Sequence, residues 1–439
     1  MSLFDNSKPC VVGIGEALLD RFKDGTRKLG GAPMIFAYHA AQSNCNGVIV
    51  SAVKNDKVGN SILEELGNHN ITSEYIIPVN KRSGTVEVDD TDPNDPKYEI
   101  KTDTAWTVIP NSNKLTKLAA ETRAVYFGVL ASFCGQEITK PTIDAFLDAV
   151  PKDCKKIFDV NLRWNRDKNN EHTVPLYSDE LIIEYVEKCN VLKVNNSELE
   201  YVCALFGISG NSYEKKCERF LEMKSNVQIL ILTMGEDGSS IYWRDEKNEI
   251  ATQSIRISVN LKNTVGAGDA LAGAFIGELL CGASIPNAHY LAAQRSAHVC
   301  KTGVSMPQIT RSDIFISYSR KDENVVVFFC NKFKEKGFTV WRDKNMIDYG
   351  DEFMDEIEKA IEHCGIFVYF SSKDANKSKY VKQEIQTAKK FTKRIVPIIL
   401  DDTPFPKGLR NKLKSFDQKD FTLVDLTDFI SRVYKEENL

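Results

Sequence analysis

The sequence predicts an α/β protein of two successive domains, each a mostly parallel sheet covered by helices, and three observations point there. The chain has 439 residues, roughly two to three times the usual domain size, so one compact core does not hold it. From Val11 to about Gln308 short β-type runs alternate with amphipathic stretches, the rhythm of βα units. A second such rhythm begins at Ser312. Between the two lies VSMPQITR, with one proline and no Gly/Ser-rich tract, which reads as a short linker. The expected domains are therefore residues 1–308 and 309–439.

In the front block the strands are VVGIG, GVIVSAV, AVYFGVL, KIFDV, NVLKV and VQILILTM, with helical segments between them. GTVEV and KYEI flank the turn-rich DDTDPNDP between Gly84 and Tyr98 and read as a hairpin appended as a flap. In the rear block DIFISYS is a strand, Glu323 to Lys336 a helix, FTVW a strand, Glu352 to His363 a helix and IFVYFS a strand. A helix near Lys379 to Lys390, the strand RIVPIIL and a last helix over Asp425 to Glu436 complete it.

Composition narrows the function. Hydrophobic residues make up 42% and charged ones 27%, too apolar for a largely disordered chain. The longest apolar runs, such as Ile395 to Leu400, are too short to cross a bilayer, and Met1 to Lys8 lacks a secretory stretch, so a cytoplasmic protein without membrane contact is expected. With 57 basic against 61 acidic residues the net charge is -4, which offers no broad positive field to nucleic acid. Eleven cysteines, scattered from Cys10 to Cys364 without CxxC pairs or zinc spacing, read as reduced structural thiols.

The sharpest local pattern is Asn263-Thr264-Val265-Gly266-Ala267-Gly268-Asp269-Ala270, followed by the helical run LAGAFIGELL. Small residues at 266 to 268 let the backbone approach an anion, and N–H groups at a helix start favour a phosphate there. Asp269 is placed to accept a proton from an attacking hydroxyl. TVGAGDA resembles the second signature of the PfkB (ribokinase-like) family of sugar and nucleoside kinases. Further family motifs follow in order: GEALLD, the GGAP of Gly30 to Pro33, GTVEV, DVNLR, NxxE at Asn195 to Glu198, and TMGEDG. The wording is most similar to the fructokinase branch.

That resemblance implies a ribokinase-like three-layer α/β/α sandwich with a small β-sheet lid, using ATP and Mg2+. It implies that Asp20 binds substrate hydroxyls, that Gly30 and Gly31 form the lid hinge, and that Asp269 is the catalytic base beside an anion hole at Gly266, Ala267 and Gly268. Asn195 and Glu198 would organise water around magnesium, Thr233, Gly235 and Gly238 would line the nucleotide edge, and Arg163 would offer its fork to phosphate. Two positions depart from the family: Ile35 stands where an asparagine is usual, and Asn263 where the motif usually begins with aspartate.

Residues 313 to 437 resemble a TIR domain of the bacterial type through DIFISYSRKDE, GFTVWRDKNMIDYGDEF and FSSKDANKSKYVKQEI. This implies a flavodoxin-like fold with a central parallel sheet. In enzymatic members of that family one carboxylate steadies the ribose cation while nicotinamide leaves NAD+. Ser378, Tyr380 and Glu384 fit the family pattern, with Glu384 as the catalytic residue; Tyr380 and Glu384, four apart, share a helix face. Ser319, Arg320 and Asp348 would contact NAD+ as well, while Trp341 suits core packing as much as a ligand. The loop Asp343 to Phe353 would serve self-association, and kinase relatives dimerise through the flap.

The pairing points to a TIR NAD+ glycohydrolase governed by a domain that binds a sugar or nucleoside, in defence against phage. A rival expectation is a fructokinase-like enzyme whose TIR part only assembles. A third is a metabolite-sensing adaptor without catalysis.

Overall fold

The computed structural model describes residues 8–69, 71–89, 97–166, 173–307, 314–335, 340–342, 351–391, 393, 395–401, 403 and 416–417. It divides into two compact units, Met1–Pro307 and Gln308–Leu439. In the front unit nine strands form one sheet. Its spatial order is Ile250–Ile255, Ser239–Arg244, Ile229–Thr233, Val191–Asn195, Lys155–Asp159, Thr122–Gly128, Cys10–Ile14, Asn46–Val53, Ile76–Pro78. The last seven run parallel, and the first two extend the sheet as antiparallel edge strands.

Both faces of the parallel part are covered, which is why its strands read as unbroken apolar runs rather than as alternation. Val12, Val125, Phe158, Leu192 and Leu230 face one core, together with Leu115, Ile143, Ile182, Leu199 and Phe220 of the helices on that side. Val11, Ile49, Tyr126, Ile157 and Ile231 face the other, against Met34, Phe36, Leu271, Phe275 and Ala292. The expected three layers are thus present. Helix starts follow local chemistry: Asp56, Ser112, Ser178 and Ser212 each take the side-chain cap position and accept the backbone N–H three residues on.

The lid is a four-stranded sheet ordered Arg27–Gly30, Leu18–Phe22, Gly84–Asp89, Lys97–Ile100. Its hairpin pairs Val86 with Ile100 and Val88 with Tyr98, as the flanking runs predict. The other half is a second hairpin from the GEALLD region: strand 18–22 lies parallel to 84–89 and antiparallel to 27–30.

Among the described residues the rear unit has five parallel strands in the order Val340–Arg342, Ile314–Ser317, Ile366–Ser371, Ile395–Ile399, Phe416–Asp417. Ile314, Phe329, Phe333, Val368 and Phe370 make one core beside it; Phe315, Ile361, Phe367, Val381 and Ile385 make the other. Asp348 and the helix expected over Asp425 to Glu436 lie outside the described residues. Trp341 stacks on Phe315 with centroids 4.6 Å apart, and Phe315 stacks in turn on Phe367 at 5.2 Å, so this indole packs into the sheet face. Phe315→Ala, which empties the middle of that stack, is expected to cost the rear unit about 3–5 kcal/mol, read by chemical denaturation of the full chain followed by circular dichroism.

Candidate functional site

Numbered along the chain, the parallel strands of the front sheet reverse direction of addition between Cys10–Ile14 and Thr122–Gly128. Open α/β sheets receive ligands beyond the carboxyl ends of their strands at such a reversal. A cleft opens there, lined by Glu16 just past the first strand, Leu130 past the 122–128 strand, and Asn161 and Arg163 past the 155–159 strand. The lid contributes Asp20, Val86, Tyr98 and Ile100, and the helix starts at 32 and 267 contribute Ile35, Gly31, Gly266 and Asp269.

Five of the residues expected at this site therefore meet in one cleft: Asp20, Gly31, Arg163, Gly266 and Asp269. Gly30 does not line it, but a Cβ there would fall 2.3 Å from Asp20 Oδ2, so its smallness makes room for the carboxylate. Gly266 is left-handed at φ 80 and serves as N-cap of the helix Ala267–Leu280. The Ala267 N–H is already engaged with Thr264 O at 3.1 Å, and the helical ladder starts with Ala270 N–H on Gly266 O at 2.9 Å. The amides of Gly268 and Asp269 precede that ladder. Asn263 Oδ1 accepts the Val265 N–H at 2.8 Å, so the neutral amide shapes the turn into this helix.

Asp269 sits in a buried network. Lys193 Nζ lies 2.8 Å from Asp159 Oδ2 and 3.9 Å from Asp269 Oδ1. The Tyr126 hydroxyl bridges the two acids, hydrogen bonding Asp159 and, at 3.1 Å, Asp269. Burial pushes the Asp269 carboxyl above its ordinary range; Lys193 opposes this, Asp159 adds to it and Arg163 opposes it. For Lys193 burial favours the neutral amine, yet Asp159 and Asp269 outweigh it and hold the ammonium. Burial likewise lifts Glu16 to about 7 and Asp20 to about 7. The Asp159 Oδ1 atom is buried with no hydrogen-bond partner among the described residues.

Asn195 and Thr233 are register partners at the carboxyl ends of neighbouring strands, and Gly235 and Gly238 follow in a tight turn at φ 56 and 85. Asn195 and Glu198 form a capping box: Asn195 Oδ1 accepts the Glu198 N–H at 2.9 Å, and Glu198 Oε2 accepts the Asn195 N–H at 2.9 Å. The other Glu198 oxygen takes the Leu162 N–H at 3.0 Å. Both residues thus have structural work at a helix start, a reading that N-x-x-E spacing itself carries. Lys193, Tyr126 and Glu16 escaped sequence reasoning. A lysine inside the apolar VLKVN run was the available signal for the first; nothing separates Tyr126 from a core tyrosine before folding.

In the rear unit the strand order likewise reverses, between Ile314–Ser317 and Ile366–Ser371. Glu384, on the helix Lys379–Lys390, is half-buried, and its Oε2 accepts a hydrogen bond from Ser317 Oγ at 2.6 Å, the last residue of the first strand. The carboxylate is thus held at the carboxyl edge by the switch point. Ser378 caps that helix by accepting the Val381 N–H at 3.3 Å, and Tyr380 is exposed one turn before Glu384. Ser319 caps the short 3-10 turn Arg320–Asp322, and Arg320 is exposed beside it. Arg342, at the end of the strand Val340–Arg342, pairs with Glu323 at 3.0 Å.

The family model of pfkB family carbohydrate kinases matches residues 8–310, and that of the TIR domain matches residues 314–434. The ATP-dependent 6-phosphofructokinase of Thermoanaerobacterium thermosaccharolyticum is 26% identical over 310 residues, spanning 67% of this chain and 89% of that one. A probable 2' cyclic ADP-D-ribose synthase, TcpO of Methanobrevibacter olleyae, is 27% identical over 137 residues, spanning 29% of this chain and 40% of that one. The fructokinase of Vibrio cholerae O395, solved with fructose, ADP and calcium ion bound, superimposes with a TM-score of 0.55 at 19% identity, covering 69% of this chain and 96% of that one; this likeness shows the fold.

Asp20 gives a test of the cleft's electrostatics. Its carboxyl rises from an ordinary 3.8 to about 7 on folding, so between those values the folded chain binds the proton more tightly than the unfolded one. Its contribution to stability is present at low pH and lost as pH rises through about 7. Asp20→Asn is expected to flatten that slope and to stabilise the front unit at alkaline pH by about 4 kcal/mol, read from melting temperatures across pH.

Proposed function

Because the chain belongs to the pfkB family of carbohydrate kinases and carries a TIR domain behind the kinase domain, we propose that it is an NAD+ glycohydrolase governed by a sugar- or nucleoside-binding domain. The observation that carries the reading is the Glu384 carboxylate, held at the switch point of the rear sheet by Ser317 at 2.6 Å. Nicotinamide leaves NAD+ as a neutral base, taking the electron pair of the glycosidic bond, and the ribose is left as an oxocarbenium-like cation. A fixed carboxylate beside that ribose stabilises the developing charge without reorganising. Water then adds at the same carbon and releases a proton, or a nucleophile of the product itself closes a ring. The similarity to a probable 2' cyclic ADP-D-ribose synthase supports this class of chemistry.

Ser317 orients the carboxylate, and Ser319, Arg320, Tyr380 and Asp348 are proposed to hold the dinucleotide, in a site that self-association of TIR domains completes. A ligand in the front cleft would govern turnover only through unequal affinity for the active and inactive states.

Glu384→Gln in the full chain is expected to lower nicotinamide release from NAD+ by at least about a hundredfold, with Asp269→Asn leaving it intact. Undiminished release from Glu384→Gln sinks the assignment.

A second reading, ATP-dependent phosphorylation of a sugar or nucleoside, is favoured by the Asp269 network. Asp269 accepts the hydroxyl proton, the amides at the helix start receive the transferred phosphoryl group, and Arg163 offers its guanidinium to phosphate. Thr233, Gly235 and Gly238 suit the nucleotide edge. The orphaned Asp159 Oδ1 fits a hard cation that keeps its water, so Asp159, with Asn195 and Glu198, would hold Mg2+ through water. When bound, that ion neutralises charge on the nucleotide phosphates. This reading expects ADP formation that depends on a hexose or nucleoside and falls about a thousandfold in Asp269→Asn, measured by coupled assay, with Glu384→Gln unaffected.

A further inference from the structure

We propose that Asn165 is a positioning residue of the front site, a latch that fastens the lid through paired hydrogen bonds between its side-chain amide and the backbone of Ile100. Among the described residues strand Lys97–Ile100 is the outermost of the lid sheet, so the outward backbone N–H and C=O of Ile100 need partners from beyond that sheet. Asn165 supplies both at one residue: Nδ2 donates to Ile100 O at 2.6 Å, and Oδ1 accepts the Ile100 N–H at 3.1 Å. A primary amide carries one donor face and one acceptor face in a plane and so reproduces what a neighbouring strand's peptide would offer. Aspartate keeps only the acceptor, and alanine keeps neither.

The placement of Asn165 makes this more than an edge repair. It lies on strand Trp164–Arg166, which pairs with Thr173–Pro175 and is closed at its base by the Leu176 N–H on Arg163 O at 2.9 Å. Two residues earlier on the same segment, the Arg163 guanidinium stands over the Tyr98 ring at 5.0 Å. The segment thus grips the lid strand at positions 98 and 100. Tyr98 and Ile100 line the cleft from the lid, while Asn161 and Arg163 line it from the sheet. Moving the lid away from the cleft breaks the Asn165 bonds and uncovers Arg163 together, which couples lid position to the placement of the cationic fork. The catalytic consequence rests on the phosphoryl-transfer reading; the latch itself does not.

The test uses the full chain with Asn165→Ala and Asn165→Asp. Amide hydrogen exchange at Ile100 is expected to speed up about tenfold in Asn165→Ala and by less in Asn165→Asp, with Val12 and Val125 in the sheet unchanged. Unchanged exchange at Ile100 in both variants overturns the latch. With MgATP and D-fructose or adenosine as acceptor, Asn165→Ala is expected to raise the acceptor KM by about tenfold while kcat stays within about threefold, and to increase ADP release without acceptor. An unaltered KM with no added ADP release removes the positioning role. If the unsubstituted chain forms no ADP with either acceptor, phosphoryl transfer fails as a reading, and exchange at Ile100 still decides the latch. Should Asn165→Ala not fold, Asn165→Asp carries both measurements.

Discussion

A lysine ammonium buried between two carboxylates is the interaction on which the front unit turns. Removing charged groups such as these from water costs several kcal/mol per ion, which the close pairing of Lys193 with the two acids offsets. The strand Val191–Asn195 brings Lys193 up through the sheet, Lys155–Asp159 brings Asp159 alongside, and the helix Ala267–Leu280 lowers Asp269 onto the pair. Tyr126, from the strand on the far side of Asp159, ties the two acids. Three sheet strands and one helix therefore share a single electrostatic condition, and the cleft takes its place from where that condition is met.

The parallel sheets set a second constraint. Strands running one way deliver their carboxyl ends to one edge, and the order reversal leaves a gap there that side chains of flanking loops fill. Both units obey it: Glu16 and Arg163 line the gap in front, and Glu384 with Ser317 occupies the equivalent edge behind. The agreement is one of architecture, since the two edges hold different chemistries, a lysine–carboxylate network in one and a serine-held glutamate in the other.

Much of this was legible beforehand. Apolar runs marked the buried strands, because a sheet covered on both faces leaves no polar alternation to confuse them. The glycine-rich helix start and Asp269 declared themselves through spacing, and the hairpin through its turn residues. The strand Leu18–Phe22 was less visible: GEALLD reads as a motif, and its pairing with 84–89 is set by a partner more than sixty residues away. Asn195 and Glu198 were read for metal when their spacing also specifies a helix cap. Lys193 and Tyr126 acquire meaning only once distant strands are side by side, and Asn165 only once the outer strand of the lid stands opposite it.

The lid joins strands 18–22 and 27–30 to strands 84–89 and 97–100, with the helix 32–41 and the strand 46–53 threaded between them in the chain. Such long-range pairing forms slowly, after closure of the intervening loop. During synthesis from the amino end, domains fold as units in the order they emerge. The front cleft needs residues up to 269, all of which precede Glu384 by more than a hundred positions. A ribosome making this protein thus completes the residues of the front cleft more than a hundred positions before it adds Glu384, so the carboxyl edge of the first sheet is assembled before the second one has its carboxylate.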